Sequence, residues 1–470
     1  MPVRTGCYGD GHISWPGHTT GCLNPSEITI GEAFLDVGYE TGMVGKWHLG
    51  INAHNRTDGE HLPHNHGFDY VGTNLPLSNA WACDEEQWHL SKPNPLLCFL
   101  YKNATMYQQP YSHYKLSETF VNDSIGFMRG SVKEKKKPFF LYYGIAQPHV
   151  DMYCNHGFRG SSKRGRYGDN IREMAWTVAA ILEEVKNLKE ENNTLAIFTS
   201  DHGPGIGLCN EGGDAGMLKG GKLNFWEGGI RVPAIFRWPG KIRPASTSDV
   251  VASHMDIFPT LMKIVGGSVP DDRIMDGKDI SSVLFKQSPE PQPEPADTPQ
   301  NRNPLDNEPR LLVWYCNDKL YAVRYGSHKF HFRSIKVQTK EEHHAEPGRC
   351  GDGGFPFQQN FPCGLNCGTA SPECLSQHDP PLMYNLGIDP GEAYPLDVSF
   401  PKHEAVFTEM MLELETFLAT LIMPPPLLGP RSFEDSAGVW PCCGNGTFPN
   451  CGCNYQYEGP VPKPGSVSQP

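Results

Sequence analysis

Residues 194–204 read TLAIFTSDHGP. Leu195 to Phe198 form a short apolar run behind a long helical pattern, which predicts a buried parallel strand in an α/β sheet. The run stops at Thr199 and Ser200, and Asp201, His202 and Gly203 follow at once. In open α/β sheets ligands bind outside the carboxyl ends of the strands. A carboxylate and an imidazole there, with a glycine letting the chain turn sharply, suit the gripping of a metal or an anion. A capped strand end with a solvated Asp–His pair fits these residues equally well, so the flanking sequence has to decide.

Upstream, residues 169–191 follow helical spacing, with Ile171, Met174, Ala175, Val178, Ile181, Leu182, Val185 and Leu188 on one face. Before that helix, Pro138 opens FFLYYGIA, a predicted strand over 139–146, and Gln147-Pro148-His149 follows directly. A second imidazole thus stands at a strand's carboxyl end, and the two strands with their helix make a strand–helix–strand unit. Downstream, a glycine-rich loop ends at Gly220-Gly221-Lys222, then NFWEGG leads to a strand over 232–238. Lys222 beside two glycines can approach an anion closely; an ordinary loop lysine is the equal alternative.

Toward the N-terminus, residues 1–30 read as loop, 30–37 as a helix ended by Gly38, and 41–44 as a short strand leading into Gly45-Lys46-Trp47-His48-Leu49-Gly50. Lys46 and His48, two apart, point the same way in extended backbone, although an exposed Lys beside a core His explains them too. The histidines at 54, 61, 64 and 66 lack regular metal-ligand spacing and read as surface or cleft-mouth residues. Residues 117–129 predict a helix capped by Ser117, and 256–265 another.

Residues 287–310 shift to Pro, Glu, Asp and Asn, marking a linker or long exposed loop. Strands over 311–315, 321–325 and 329–332 have no helices between them and predict a small antiparallel sheet, with an amphipathic helix at 405–422 packed on it. The expected organisation is an α/β domain over 1–286, a linker over 287–310, an antiparallel-sheet domain over 311–430 and a Cys-rich tail over 431–470. Cys442, Cys443, Cys451 and Cys453 have a spacing compatible with a zinc ribbon, but disulfides suit the rest of the composition better.

The chain has 470 residues, 38% hydrophobic and 20% charged, with a net charge of −13. That balance argues against a nucleic-acid partner; the basic run at 133–137 reads as solvated loop. No apolar run nears the roughly eighteen residues a membrane helix needs. Fifteen cysteines and five Asn-x-Ser/Thr triplets, at Asn55, Asn103, Asn122, Asn192 and Asn445, favour the secretory route. Met1-Pro-Val-Arg lacks the apolar segment of a signal peptide, so a missing front is expected.

GKWHLG, the QPH after a strand, SDHGP and GGKLNFWEGGIRVP, in this order, make the chain resemble a sulfatase, nearest the animal arylsulfatases and the steroid-sulfatase-like group. DPPLMYNL at 379–386, Trp314-Tyr315-Cys316 and Cys442-Cys443 add to the likeness. The resemblance implies an alkaline-phosphatase-like α/β domain with a mixed sheet flanked by helices, plus a smaller C-terminal α+β domain carrying a four-stranded antiparallel sheet. It implies hydrolysis of sulfate esters by a formylglycine made from the cysteine of a Cys-x-Pro-Ser-Arg motif, beside a calcium ion. Carried over residue by residue, it makes Asp201 and His202 calcium ligands and Lys46 and Lys222 sulfate binders. His48 becomes the base that collapses the intermediate, His149 the acid for the leaving oxygen, and Ser78 a substrate contact.

The sequence departs from the family at one point. No Cys-x-Pro-Ser-Arg occurs in it, Cys22 being followed by Leu-Asn-Pro-Ser, and the family's paired first-strand aspartates have no counterpart. The chain is therefore expected to start after the nucleophile and to be inactive alone. The expected partners are a sulfate ester, a sulfated glycan or a steroid sulfate, in a secreted or lysosomal lumenal setting compatible with a homo-oligomer. The alternatives are a non-catalytic secreted glycoprotein that binds sulfated ligands, and a phosphatase or phosphodiesterase of the same superfamily, against which the GKWH and GGK motifs argue.

Overall fold

The computed structural model of the protein describes residues 2–8, 23–79, 83, 98–285, 309–336, 374–427, 441–443 and 453–454. Its main sheet has six strands in the order β12-β4-β3-β2-β1-β5. These are β1 (Glu40–Lys46), β2 (Tyr70–Leu75), β3 (Leu100–Lys102), β4 (Thr105–Gln109), β5 (Phe139–Gly144) and β12 (Cys453–Asn454). Strand β1 runs parallel to both β2 and β5, while the β2–β3, β3–β4 and β4–β12 pairs are antiparallel. Flanked on both sides, β1 has Thr41, Met43 and Val44 at 0% exposure.

Alternate residues of β5 face opposite ways, and each side meets a helical layer. Phe140 packs with α2 (Ile30–Asp36) and α6 (Ile257–Val265), whereas Phe139 and Leu141 pack with α3 (Leu116–Arg129) and α4 (Gly165–Asn187). The start of α2 is fixed by a reciprocal cap: Thr29 Oγ1 accepts the Glu32 N–H and Glu32 accepts the Thr29 N–H. Short helices α1 (Pro2–Thr5), α5 (Glu227–Ile230) and α7 (Ser281–Leu284) complete this part; the first lies in what the sequence predicts as loop.

Residues 196–199 do form a strand, β6 (Ala196–Thr199), but not a buried parallel one. It pairs antiparallel with β7 (Ala234–Arg237), and all four of its residues are half-buried. Strands β5 and β6 are not paired; they meet through Phe140, Leu195 and Ile197 over α2 and α6. Helix α4 starts earlier than its apolar pattern suggests, and its buried stripe is largely polar, with Asp169, Asn170, Glu173, Thr177 and Glu184 beside Val185 of the expected apolar face. Each buried carboxylate there has donors. Asp169 accepts the N–H groups of Gly160 and Ser162, both at 2.8 Å, Glu173 that of Asn155 at 2.9 Å, and Glu184 pairs with Arg129 at 2.7 and 2.8 Å. Ser117 is not the cap of α3. It lies inside the helix, buried, and accepts the Gln147 Nε2–H at 2.5 Å.

The second sheet has the order β11-β10-β9-β8, every pair antiparallel: β8 (Leu311–Cys316), β9 (Lys319–Tyr325), β10 (His328–Ile335) and β11 (Leu375–Asn385). Met410 and Leu414 of α8 (Pro401–Ala419) pack on Val313, Val323, Phe330 and Met383. Where this sheet meets the first part, Arg310 clamps buried Asp256 with two 2.5 Å bonds. Asp256 also accepts the N–H groups of Ser253 and Lys278.

Cys83 is bonded to Cys98, and Cys316, Cys374, Cys442 and Cys443 are also in disulfides. Cys451 lies outside the described residues. Asn55, Asn103 and Asn192 are exposed, Asn122 is half-buried in α3, and Asn445 lies outside the described residues. No described helix is long and apolar enough to cross a membrane.

Candidate active site

The carboxyl end of β1 is shaped by close backbone contact. Gly45 sits at φ +92° opposite Gly144 of β5, and a Cβ on it would lie 2.2 Å from the Gly144 carbonyl oxygen. Only glycine fits, and the strand delivers Lys46 directly beyond it. The chain then continues alongside β2: Trp47 N–H donates to Leu75 O at 2.9 Å and His48 N–H to Pro76 O at 3.1 Å. His48 adopts φ 59°, an uncommon left-handed conformation for a residue with a side chain. The turn is anchored by the Trp47 indole, which donates to His61 O at 2.9 Å and lies 5.7 Å from the His66 ring. His61 and His66 are buried supports of this turn, contrary to the surface or cleft-mouth role their spacing predicts, while His54 is exposed beside Glu60.

The loops carrying Asp201 and Lys222 are laced together by main chain. Gly203 N–H donates to Gly229 O at 2.9 Å, Lys222 N–H to Pro204 O at 2.7 Å and Gly228 N–H to Lys219 O at 2.7 Å. A Cβ on Gly203 would lie 1.8 Å from the Gly228 carbonyl oxygen.

From these supports four side chains converge. His149 Nε2 is 3.0 Å from Lys222 Nζ, and its Nδ1 is 2.5 Å from Val150 O. A carbonyl can only accept, so Nδ1 carries the ring proton and Nε2 accepts from the lysine. Burial, then the charges of Lys222 and Lys46, hold the His149 imidazolium down to about 3. Burial also lowers Lys46, with Asp201 opposing and Lys222 assisting; it lowers Lys222, again opposed by Asp201. Two lysines and a neutral imidazole thus face one carboxylate, an arrangement suited to an anion.

Asn79 joins this group from outside the residues the sequence singled out. Fully buried, it donates from Nδ2 to His149 O at 3.2 Å, and its main-chain carbonyl accepts the Asp151 N–H at 3.3 Å. It ties the loop bearing Ser78, whose Oγ is buried without a hydrogen-bond partner among the described residues, to the loop bearing His149. Its only sequence signal is adjacency to Ser78. Tyr142, 45% exposed on β5, is a second missed neighbour and lies within the field of Asp201. His48 shares the strand end by its backbone position.

Residues 5–267 match the sulfatase family, and residues 307–453 match the C-terminal region of aryl-sulfatase. The chain belongs to the sulfatase family. This sulfatase is 42% identical over 463 residues to the arylsulfatase of Hemicentrotus pulcherrimus, covering 98% of its own length and 77% of the relative's. It is 29% identical over 510 residues to the steryl-sulfatase of Homo sapiens, covering 94% and 81%. Among solved structures, the PsFucS1 sulfatase from Pseudoalteromonas sp. superposes with a TM-score of 0.66 at 21% identity, over 92% of this chain and 79% of that one. That likeness establishes the alkaline-phosphatase-like fold with its mixed sheet and antiparallel C-terminal sheet.

The calcium ion expected for this sulfatase can be tested against the donors present. Asp201 is 73% exposed, and its oxygens engage the His202 N–H at 3.0 Å and His202 Nε2 at 3.2 Å. The other ring nitrogen of His202 faces Gly203 O at 2.8 Å. Calcium takes about six to eight oxygen ligands, and no three His, Cys, Asp or Glu side chains among the described residues group as metal donors. One carboxylate and one imidazole do not fit a calcium site, so no step is derived through the ion.

Proposed function

We propose that this protein is a sulfuric ester hydrolase of arylsulfatase type, secreted or lumenal, whose described residues bind and polarise the sulfuryl group. The observation that carries the reading is the meeting of Lys46, Lys222 and His149 beyond the strand ends, facing Asp201. Lys46 and Lys222 take the sulfate oxygens and offset the charge that builds on them in the transition state. Bound anion also reverses the field on His149: the lysines' positive charge is neutralised, and the imidazole can take a proton to pass to the leaving alcohol oxygen. His48 serves as the base in the release of sulfate.

In this family a formylglycine supplies the nucleophile, and its Cys-x-Pro-Ser-Arg source motif does not occur in the 470 residues. Removing a nucleophile leaves only the part of the rate enhancement due to binding and electrostatics. The 470-residue polypeptide should therefore bind aryl sulfates without turning them over. The test is nitrophenyl sulfate hydrolysis by this polypeptide and by a form extended with any coding sequence in frame ahead of Met1. Robust turnover by the 470-residue form, abolished in Lys222→Ala, would show the nucleophile to be misassigned. The absent motif also favours a second reading, a non-catalytic glycoprotein that retains sulfated ligands. It predicts that an extended form stays inactive while still binding sulfate.

A further inference from the structure

The loop that carries Lys222 is fastened at its far end into the second sheet. Trp226, 4% exposed, donates from its indole to Ile335 O at 3.3 Å and lies over the His331 ring at 4.2 Å, with Lys219 Nζ 3.7 Å from its own ring centre. The next residue enters a closed ionic cluster. Glu227 N–H donates to Glu392 Oε2 at 2.6 Å. Lys329 Nζ lies 2.9 Å from Glu227 Oε1 and 3.3 Å from Glu392 Oε1, and His331 Nε2 lies 2.7 Å from Glu392 Oε1. Arg324 stands 3.8 Å from the other Glu227 oxygen. Lys329 and Glu392 are 0% exposed, His331 1% and Glu227 2%.

A cluster of this kind is a poor way to gain stability, since removing charges from water offsets most of their attraction and apolar replacements often do as well. What it fixes is position. Glu392 is held at φ 53°, where a residue with a Cβ is strained, and the strain is braced by the Asp389 carboxylate accepting the N–H groups of Ala393 and Tyr394. From Glu227 the constraint passes through two glycines. The Gly229 carbonyl accepts the Gly203 N–H, and a Cβ on Gly229 would lie 2.4 Å from Gly221 O. Lys222 is one residue beyond Gly221, and Asp201 is two before Gly203.

We propose that Glu392, with Lys329 and His331, is a positioning residue for Lys222, so that the C-terminal domain completes the anion site of the α/β domain. The proposal rests on Lys222 binding sulfate. Loss of the Glu392 carboxylate frees the Glu227 N–H and leaves Lys329 with one partner, and the loop slackens on both sides of the glycine seam.

The test uses the 470-residue chain, with inorganic sulfate titrated calorimetrically and amide hydrogen exchange followed over residues 219–230. Glu392→Ala should weaken sulfate and speed exchange there by about tenfold each, and Glu392→Gln, which keeps an acceptor for the Glu227 N–H, should recover much of both. Leu414→Ala, a cavity in the second sheet's own core, controls for general destabilisation and should move neither by that much. If Glu392→Ala fails to fold, Lys329→Met is compared with Leu414→Ala in the same way. Exchange in 219–230 no faster than in Leu414→Ala, with sulfate binding intact, overturns the positioning role alone. A wild-type chain that takes up no sulfate overturns the assignment of Lys222, and the proposal with it.

Discussion

At the scale of single residues, His149 is held neutral by burial and by the two lysines beside it. Its folded value, about 3, lies below the ordinary 6.5, so the folded chain binds fewer protons than the unfolded one between those limits. The stability tied to keeping it neutral is present above pH 6.5 and is lost as pH falls toward 3. Nitrogen NMR should find His149 neutral, with the proton on Nδ1, at pH 5. Lys222→Ala should raise its titration point, as should saturating sulfate; a point near 6.5 in the free wild type would contradict the geometry. Glu173 behaves oppositely. Burial lifts it from 4.5 to about 7, against the bonds it receives from Asn155, Ser117 and Gln147. A raised carboxyl contributes stability that is present below pH 4.5 and lost as pH rises through 7, about 3 kcal/mol at most. Glu173→Gln should therefore remove a decline in stability between pH 5 and 8, measured by urea unfolding against the wild type. Equal pH slopes in the two proteins would refute this.

Among the elements, the seam between the Asp201 and Lys222 loops depends on glycine more than on any side chain. Gly203→Ala would press a methyl onto the Gly228 carbonyl, and the cost should be about 1–3 kcal/mol with a parallel loss of sulfate affinity. Urea unfolding and sulfate titration check it, and an unchanged midpoint would refute it. Lys46, Lys222, His149 and Asp201 were legible because each follows a strand or a glycine turn, and the structure brings these four together, with His48 at the same strand end only by its backbone position. The sequence did not reveal Asn79, because a buried amide beside a serine leaves no pattern. The parallel pairing expected of β6 also failed for a physical reason. An apolar run shows that a strand is covered, but not which neighbour supplies its hydrogen bonds, and here β7 does. The polar stripe of α4 misled in the same way, since its burial depends on donors from distant loops such as the Asn155 N–H.

At the scale of the whole molecule, the described residues offer calcium few donors. With Asp201 mostly exposed and flanked by two lysines, the 470-residue chain should bind calcium only weakly, with a dissociation constant of about millimolar or above. Micromolar binding by calorimetry, lost in Asp201→Ala, would show that donors have been overlooked. The two sheets were legible from the helical and the closely spaced strand patterns, while the Pro- and acid-rich linker expected over 287–310 lies almost wholly outside the described residues. What holds the parts together was not legible, because Arg310, Lys329 and Glu392 carry no periodicity.

That grip has a consequence for a broken chain. The bidentate Arg310–Asp256 pair and the Glu227–Lys329–Glu392 cluster join side chains from either side of residues 286–308. Covalent continuity through that stretch is therefore not what keeps the two parts in register. Severed there, the protein should behave as a pair of complementing halves, each carrying one side of a charged lock.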